Sequence, residues 1–166
     1  MPDNYNLARP PRRKERILGR AATEALLERA DFGTLATADS SNWPYATPMS
    51  YVFRQGVLYL HTGPAGHKID NLRGNARISF AVVSSLGKDY RQDSFHAFYE
   101  SAVLFGEIAE IVEPAEKRRV LAYFMEKYFP ERLEEGMAYI DQRLAGTIVY
   151  QVKPEKITGK GRPELD

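Results

Sequence analysis

The segment of this chain that is best equipped for chemistry runs from residue 58 to residue 75. An apolar stretch ends in His61 and Thr62, a glycine-rich loop follows, and His67 and Lys68 open a short amphipathic stretch. This order predicts a strand end, a loop and a helix N-terminus, where free backbone N–H groups and the helix dipole favour an anion. The segment therefore predicts a phosphate site to which Lys68 adds a charge, although a solvated turn has the same composition.

Metal and hydrolytic chemistry have little support in the sequence. The chain contains no cysteine, which excludes disulfides, thiolate metal ligands and a cysteine nucleophile. His61 and His67 lie six residues apart without a His-Glu-X-X-His pattern, so no metal site is predicted. The sequence also lacks a Gly-X-Ser-X-Gly elbow and a Walker-type phosphate loop.

The elements that must position these residues are mostly strands. Alternating apolar patterns and turn residues predict about six antiparallel strands, the first three as a meander, with peripheral helices. The predicted strands are residues 32–38, 45–53, 57–62, 76–84, 97–112 and 147–152, with a polar loop at 85–94 and helices at 23–30, 67–75, 114–130 and 134–144. This arrangement predicts a mainly β (α+β) barrel rather than a doubly wound sheet.

Length and composition predict one ordinary folded domain. The 166 residues are 43% hydrophobic and 27% charged. We divide them into a basic N-terminal tail (1–20), a barrel domain (21–156) and a C-terminal tail (157–166). A net charge of +1 provides no general attraction to nucleic acid or anionic membranes, and no apolar run is long enough to cross a bilayer. We expect a soluble cytoplasmic protein that binds neither nucleic acid nor membrane.

Five segments in order resemble the pyridoxamine 5'-phosphate oxidase-like split-barrel family, and most closely its 5-nitroimidazole-resistance branch. The segments are residues 30–37, 43–52, 58–62, 66–75 and 99–106, within a similarity that spans roughly residues 15–160. The resemblance implies an FMN-binding split β-barrel. It also implies a homodimer with two flavin sites at the subunit interface.

The same resemblance implies which residues bind the cofactor. The second strand lies along the isoalloxazine edge, the next strand end and helix hold the ribityl phosphate, and the partner subunit contributes one serine. The implied cofactor-binding residues are Pro48, Met49, Ser50, Tyr51, Val52, His61, Thr62, His67, Lys68, Asn71 and Ser101. At Ser101 this chain lacks the glutamine-containing pattern that pyridoxamine oxidases carry.

The implied activity is that of an FMN-dependent oxidoreductase. A reduced nicotinamide or similar donor would supply electrons to a small planar acceptor such as a nitroaromatic or a quinone, and His67 is the candidate catalytic residue that polarises or protonates it. Counterparts of the substrate-phosphate residues of true pyridoxamine oxidases are not found, so vitamin synthesis is not expected. The alternatives are a flavin-binding or redox-sensing protein without turnover, a haem-binding split barrel and, less compatible with the charge, an oligonucleotide-binding barrel.

Overall fold

Nine strands and four α-helices make up the part of the chain that the computed structural model describes, residues 10–91 and 94–162. The strands are β1 Ile17–Leu18, β2 Phe32–Ala38, β3 Pro44–Ser50, β4 Val52–Arg54, β5 Val57–Thr62, β6 Arg77–Arg91, β7 Ser94–Glu110, β8 Ile148–Val152 and β9 Lys156–Arg162. The helices are α1 Arg20–Arg29, α2 His67–Gly74, α3 Pro114–Tyr128 and α4 Leu133–Arg143.

All strand pairs are antiparallel, and the long strand β7 joins the two arms of the sheet. On one edge β7 pairs with β6, which continues to β2 and β3. On the other edge it pairs first with β9 and then with β8, which continues to β5 and β4. The sheet therefore curls into a half-barrel with helices at its periphery, as the sequence predicted, but with more than six strands.

Buried and accessible residues alternate along the strands, and the buried side chains fill the interior of the barrel. Leu35, Phe80 and Leu104 face each other across three neighbouring strands, and none is more than 1% exposed. Burial of one such side chain contributes about 1.5–3 kcal/mol. A second apolar cluster forms where the predicted face of α3, with Val120, Leu121 and Phe124, packs against Val149 of β8. The helix pair α3–α4 is thereby held at the side of the barrel.

The predicted second strand is interrupted at Tyr51. Residues 44–50 pair with β2, whereas residues 52–54 pair with β5, so the predicted meander is divided between the two arms of the sheet. The predicted loop at 85–94 is also wrong for its first part, because β6 continues to Arg91 and pairs with β7. Long hairpins can carry polar residues at their tips, which is why this composition indicated a loop.

The tails predicted at both ends are partly strands. Residues 156–162 form β9, which pairs along β7, and Ile17 and Leu18 pair with Lys160 and Gly159. Two buried glycines in β9, Gly159 and Gly161, gave this segment a loop-like composition. Residues 1–9 and 163–166 lie outside the described residues. No helix in the described ranges is long and apolar enough to span a membrane.

Candidate functional site

A cavity of about 730 Å³ opens between one end of the barrel and the helix pair α3–α4. Its barrel side is formed by the ends of β3 and β5 and the start of β2, and its helical side by aromatic and aliphatic residues. The lining residues are Phe32, Ser50, His61, Thr62, Gly63, Leu121, Phe124, Met125, Tyr128, Phe129, Tyr139, Ile140, Arg143, Gly146 and Thr147. This size and mainly apolar lining are typical of a small-molecule or cofactor site.

Three of the predicted cofactor-binding residues meet in this cavity. Ser50 ends β3, and His61 and Thr62 end β5, so the curl of the sheet brings the two strand ends together. Gly63 lies beside them, and a Cβ placed on it would meet no protein atom within 4 Å. A flat ligand can therefore approach the backbone of this wall closely.

His61 is the titratable group of the barrel wall. Its ring packs edge-on against Phe124 of α3, with ring centroids 4.6 Å apart and an interplanar angle of 87°. Burial lowers the pKa of His61 below its usual value, because the cationic form loses hydration. At neutral pH His61 is therefore a neutral imidazole that can hydrogen-bond a ligand without adding charge.

The interruption at Tyr51 is held by the last turn of α3. The Tyr128 hydroxyl accepts a hydrogen bond from the Tyr51 N–H at 3.0 Å, and its oxygen lies 2.7 Å from the Tyr51 carbonyl oxygen and 2.6 Å from that of Asp31. Lys127 Nζ donates to the carbonyls of Ala30 at 2.7 Å and Tyr51 at 3.2 Å. Burial lowers the pKa of this lysine.

These contacts involve Tyr51 and Val52, two of the residues expected at the flavin. The side chains of Tyr51 and Val52 are buried in the two apolar clusters, and the Tyr51 N–H is already bonded to Tyr128. The Tyr51 N–H is thus used to fix the end of β3, and contact of Tyr51 with a flavin stays a prediction. Val52 retains only its backbone for contact with a ligand.

Pro48 and Met49 do not line the cavity. Pro48 is exposed and pairs with Thr34, on the outer face of the sheet, whereas Met49 is partly buried against the barrel core. Their alternation follows from the period of two in a regular strand. Direct contact of both residues with one flavin ring stays a prediction.

The predicted phosphate site is a helix N-terminus, as expected. Gly66 precedes α2 with φ +120°, a conformation that favours glycine, and its carbonyl accepts the N–H groups of Ile69 and Asp70. His67 is exposed and packs on Tyr45 with ring centroids 4.2 Å apart, while Lys68 is partly exposed. Neither residue lines the cavity, but the loop from Gly63 to Gly66 connects the two places.

Asn71 is a buried residue of α2 that contacts the sheet. Its side chain is only 4% exposed, and its Nδ2 donates to Thr37 Oγ1 of β2 at 3.0 Å. A buried amide with a partner of this kind anchors α2 to the sheet. The resemblance implies that Asn71 either supports this helix or reaches the phosphate; the contact with Thr37 agrees with the first role, and the second stays a prediction.

Ser101 lies on the outer face of the sheet, away from the cavity of its own chain. It pairs with Val83 of β6 and Lys160 of β9, and its hydroxyl donates to the Lys160 carbonyl at 3.2 Å. Only a second subunit could bring this serine to a flavin, as the resemblance implied. This assignment stays a prediction.

Sequence reasoning missed the helical wall of the cavity. The sequence predicted a helix at 114–130, but it assigned no site role to the residues of that helix. Tyr139 and Arg143 of α4 carried no motif at all. In the part of the chain that is described, no group of three histidine, aspartate or glutamate side chains is placed to hold a metal ion.

Comparisons with known proteins agree with this architecture. A family model described as pyridoxamine 5'-phosphate oxidase matches residues 19–161. The structure of a candidate 5-nitroimidazole antibiotic resistance protein from Bacteroides thetaiotaomicron is 28% identical, with a TM-score of 0.76 over 87% of this chain and 86% of that chain. The split-barrel prediction is confirmed. A search of curated protein sequences gave no significant match.

Two further structures share the fold at lower identity. The flavocytochrome Anf3 from Azotobacter vinelandii is 20% identical, with a TM-score of 0.75 over 89% of this chain and 70% of that chain. The FAD and heme binding protein from Mycobacterium smegmatis is 20% identical, with a TM-score of 0.71 over 89% of this chain and 75% of that chain. Split barrels of this shape thus include proteins named for flavin and for haem.

Proposed function

We propose that this chain, which belongs to the pyridoxamine 5'-phosphate oxidase family, is an FMN-dependent oxidoreductase that reduces small planar acceptors. The observation that carries the proposal is the meeting of Ser50, His61 and Thr62 in one large cavity. These residues were expected at a flavin site from the sequence, and they come from two separate strands. If residues 58–75 formed only a solvated turn, a cavity of this size beside the strand end would not be expected.

The residues present suit a flavin. The cavity offers aromatic walls for a flat ring and a hydroxyl, an imidazole and an open glycine backbone for its polar edge. The N-terminus of α2 and Lys68 suit the terminal phosphate of FMN, since an anion gains from both the helix dipole and a cation. When bound, the flavin supplies two-electron transfer between a donor and an acceptor.

The chain's own contribution to turnover is binding, orientation and proton supply. His67 was the expected acceptor-contacting residue, but it stands outside the cavity lining, whereas His61 is inside it. We therefore assign the hydrogen bond to the acceptor to His61, and His67 to the phosphate end. The aromatic side chains of α3 exclude water from the ring face, which strengthens polar contacts there.

We also propose that two chains associate through the outer face of the sheet. This face carries small and apolar residues, and two of its larger ones, Phe32 and Val83, are 66% and 69% exposed. Phe32 pairs with Ser50 at the cavity, and Val83 pairs with Ser101. A partner covering this face would bring its own Ser101 towards the cavity mouth.

The oxidoreductase proposal is tested with the flavin-loaded protein under anaerobic conditions. We expect NADPH or NADH to bleach the flavin absorbance and a nitroaromatic compound to restore it, with turnover that falls at least tenfold in His61→Ala while bound flavin is retained. Bleaching by dithionite alone, without recovery on adding any nitroaromatic or quinone, would favour a flavin-binding protein without turnover.

One observation favours a second candidate, haem binding. His61 is a neutral imidazole that faces a large apolar cavity, which is a suitable setting for an axial ligand of haem iron. Addition of hemin distinguishes the two. A Soret band that is lost in His61→Ala, with no bound flavin, would replace the flavin proposal by this one.

A further inference from the structure

The helical side of the cavity carries a cation whose role is not explained by the fold. Arg143 lies at the end of α4, lines the cavity, and places its guanidinium carbon 5.7 Å from the ring centroid of Tyr139. Two nearby arginines have carboxylate partners: Arg118 of α3 bonds both oxygens of Asp141, and Arg132, in the turn between α3 and α4, pairs with Glu135. Among the described residues, Arg143 has no such partner.

The remaining lining makes this charge distinctive. Of the fifteen residues that line the cavity, Arg143 is the single one with a permanent charge, and none is acidic. His61 on the barrel wall is half-buried, and because burial lowers its pKa it adds no charge at neutral pH. The rings of Phe124, Phe129 and Tyr139 also line the cavity and provide flat apolar surface. Arg143 is an exposed residue, so its guanidinium is accessible to a ligand, and it gives the cavity lining one fixed positive charge beside aromatic walls.

We propose that the helical side of this cavity binds a planar aromatic acid, with its carboxylate on the Arg143 guanidinium and its ring between the aromatic side chains. A guanidinium matches a carboxylate with two parallel hydrogen bonds, and it gains further from the absence of competing anions. This inference deepens the proposed function, and the role of the aromatic acid as electron acceptor rests on that function. The binding itself depends only on residues of the cavity.

The test uses two probes that differ in charge and hardly in shape, 4-nitrobenzoate and 4-nitrobenzamide. Each is titrated by calorimetry into the protein as purified and into protein stripped of any cofactor. We expect the wild type to bind the acid at least tenfold more tightly than the amide, in line with the strength of charge-assisted hydrogen bonds. Arg143→Gln should abolish this preference by weakening only the acid.

Two matched variants separate the site from general charge effects. Arg143→Lys keeps the charge but loses the bidentate geometry, so it should retain part of the preference. Arg132→Gln removes an equal charge from the turn between α3 and α4, outside the cavity lining, and should retain all of the preference. The proposal is overturned if the wild type binds both probes equally, if Arg143→Gln keeps the preference, or if Arg132→Gln loses it as well.

The outcomes also distinguish this inference from the proposed function. A protein that binds no flavin but prefers the acid through Arg143 contradicts the oxidoreductase proposal and supports the aromatic-acid site. A flavin-loaded protein that does not discriminate between the probes contradicts the aromatic-acid site alone.

Discussion

A single hydroxyl group holds the strand that borders the cavity. Tyr128 Oη contacts both the N–H and the carbonyl of Tyr51, at the point where β3 ends and β4 begins. A backbone N–H that is buried without a partner costs about 1–3 kcal/mol. The position of Ser50, one residue earlier, therefore depends on a residue of α3.

The first prediction concerns Tyr128→Phe. We expect the free energy of unfolding in urea to fall by about 1–3 kcal/mol, because the Tyr51 N–H loses its acceptor. We also expect weaker FMN binding and a shifted flavin reduction potential, since the end of β3 moves. Tyr139→Phe is the control, because its hydroxyl makes no hydrogen bond within the described ranges. Equal stability of Tyr128→Phe and wild type would show that this hydrogen bond does not stabilise the end of β3.

A second prediction concerns pH and His61. Its folded-state pKa is lowered by burial, so the unfolded chain binds this proton more readily, starting from its ordinary pKa of about 6.5. Stability should therefore fall as the pH drops from about 6.5 towards the lowered folded-state pKa. The free energy of unfolding in urea is measured at several pH values across this window. Its slope against pH should be shallower in His61→Gln than in wild type or in His67→Gln. An unchanged slope in His61→Gln would contradict the burial argument.

At the scale of elements, the close approach of β2 and β6 depends on a glycine. A Cβ at Gly33 would overlap the buried ring of Phe80 and lie 3.0 Å from the backbone oxygen of Ala81. In contrast, a Cβ at Gly74, at the end of α2, would meet no atom within 4 Å. Alanine substitution at these two positions therefore distinguishes the effect of close packing from the general effect of replacing a glycine.

The third prediction follows from this contrast. Gly33→Ala should lower the free energy of unfolding by about 1–3 kcal/mol, since overpacking forces the ring or the strand to move. Gly74→Ala should leave stability unchanged or raise it slightly, because alanine is the better helix former. Both are measured by urea denaturation. A Gly33→Ala protein as stable as Gly74→Ala would mean that the sheet absorbs the methyl group without strain.

Most elements could be predicted from local sequence, and the exceptions have physical causes. The alternation in β2 and β5 and the apolar face of α3 depend on neighbours in sequence, so their patterns predict them. The break at Tyr51 depends on a tyrosine 77 residues away, which no local pattern shows. Strand β9 was missed because Gly159 and Gly161 are poor strand formers that close packing requires here.

The candidate site was predictable only where it lies on strands with a recognisable motif. Ser50, His61 and Thr62 belong to segments that occur in the same order as the motifs of a known family, and these three residues meet in the cavity. Arg143 and Tyr139 belong to a helix without such a motif. Their place at the cavity depends on how α3 and α4 pack together, which is a property of tertiary structure.

For the whole molecule, the outer face of the sheet is the surface on which the proposed dimer rests. Exposed Val83 and Phe32 lie among small residues on a broad, regular surface. Faces of this kind are usually covered by a partner, most often in a two-fold dimer. The cavity mouth lies at the edge of this face, so association and cofactor binding should be coupled.

The fourth prediction tests that coupling. Light scattering should give twice the monomer mass for wild type, and Val83→Glu should shift it towards monomer and weaken FMN binding, because a buried charge opposes association. Val112→Glu is the control, since Val112 is similarly exposed, at 76%, but lies outside the sheet. Monomeric wild-type protein with normal FMN affinity would contradict the two-subunit arrangement.

The most direct measurement is an absorbance spectrum of the purified protein, followed by titration with FMN of the stripped protein and of Lys68→Gln. We expect flavin bands near ~370 and ~450 nm and FMN as the released cofactor. FMN should bind about tenfold more weakly to Lys68→Gln than to wild type. Lys153→Gln, which changes an exposed lysine elsewhere, should bind FMN like wild type. A colourless protein that takes up neither FMN nor FAD would contradict the account.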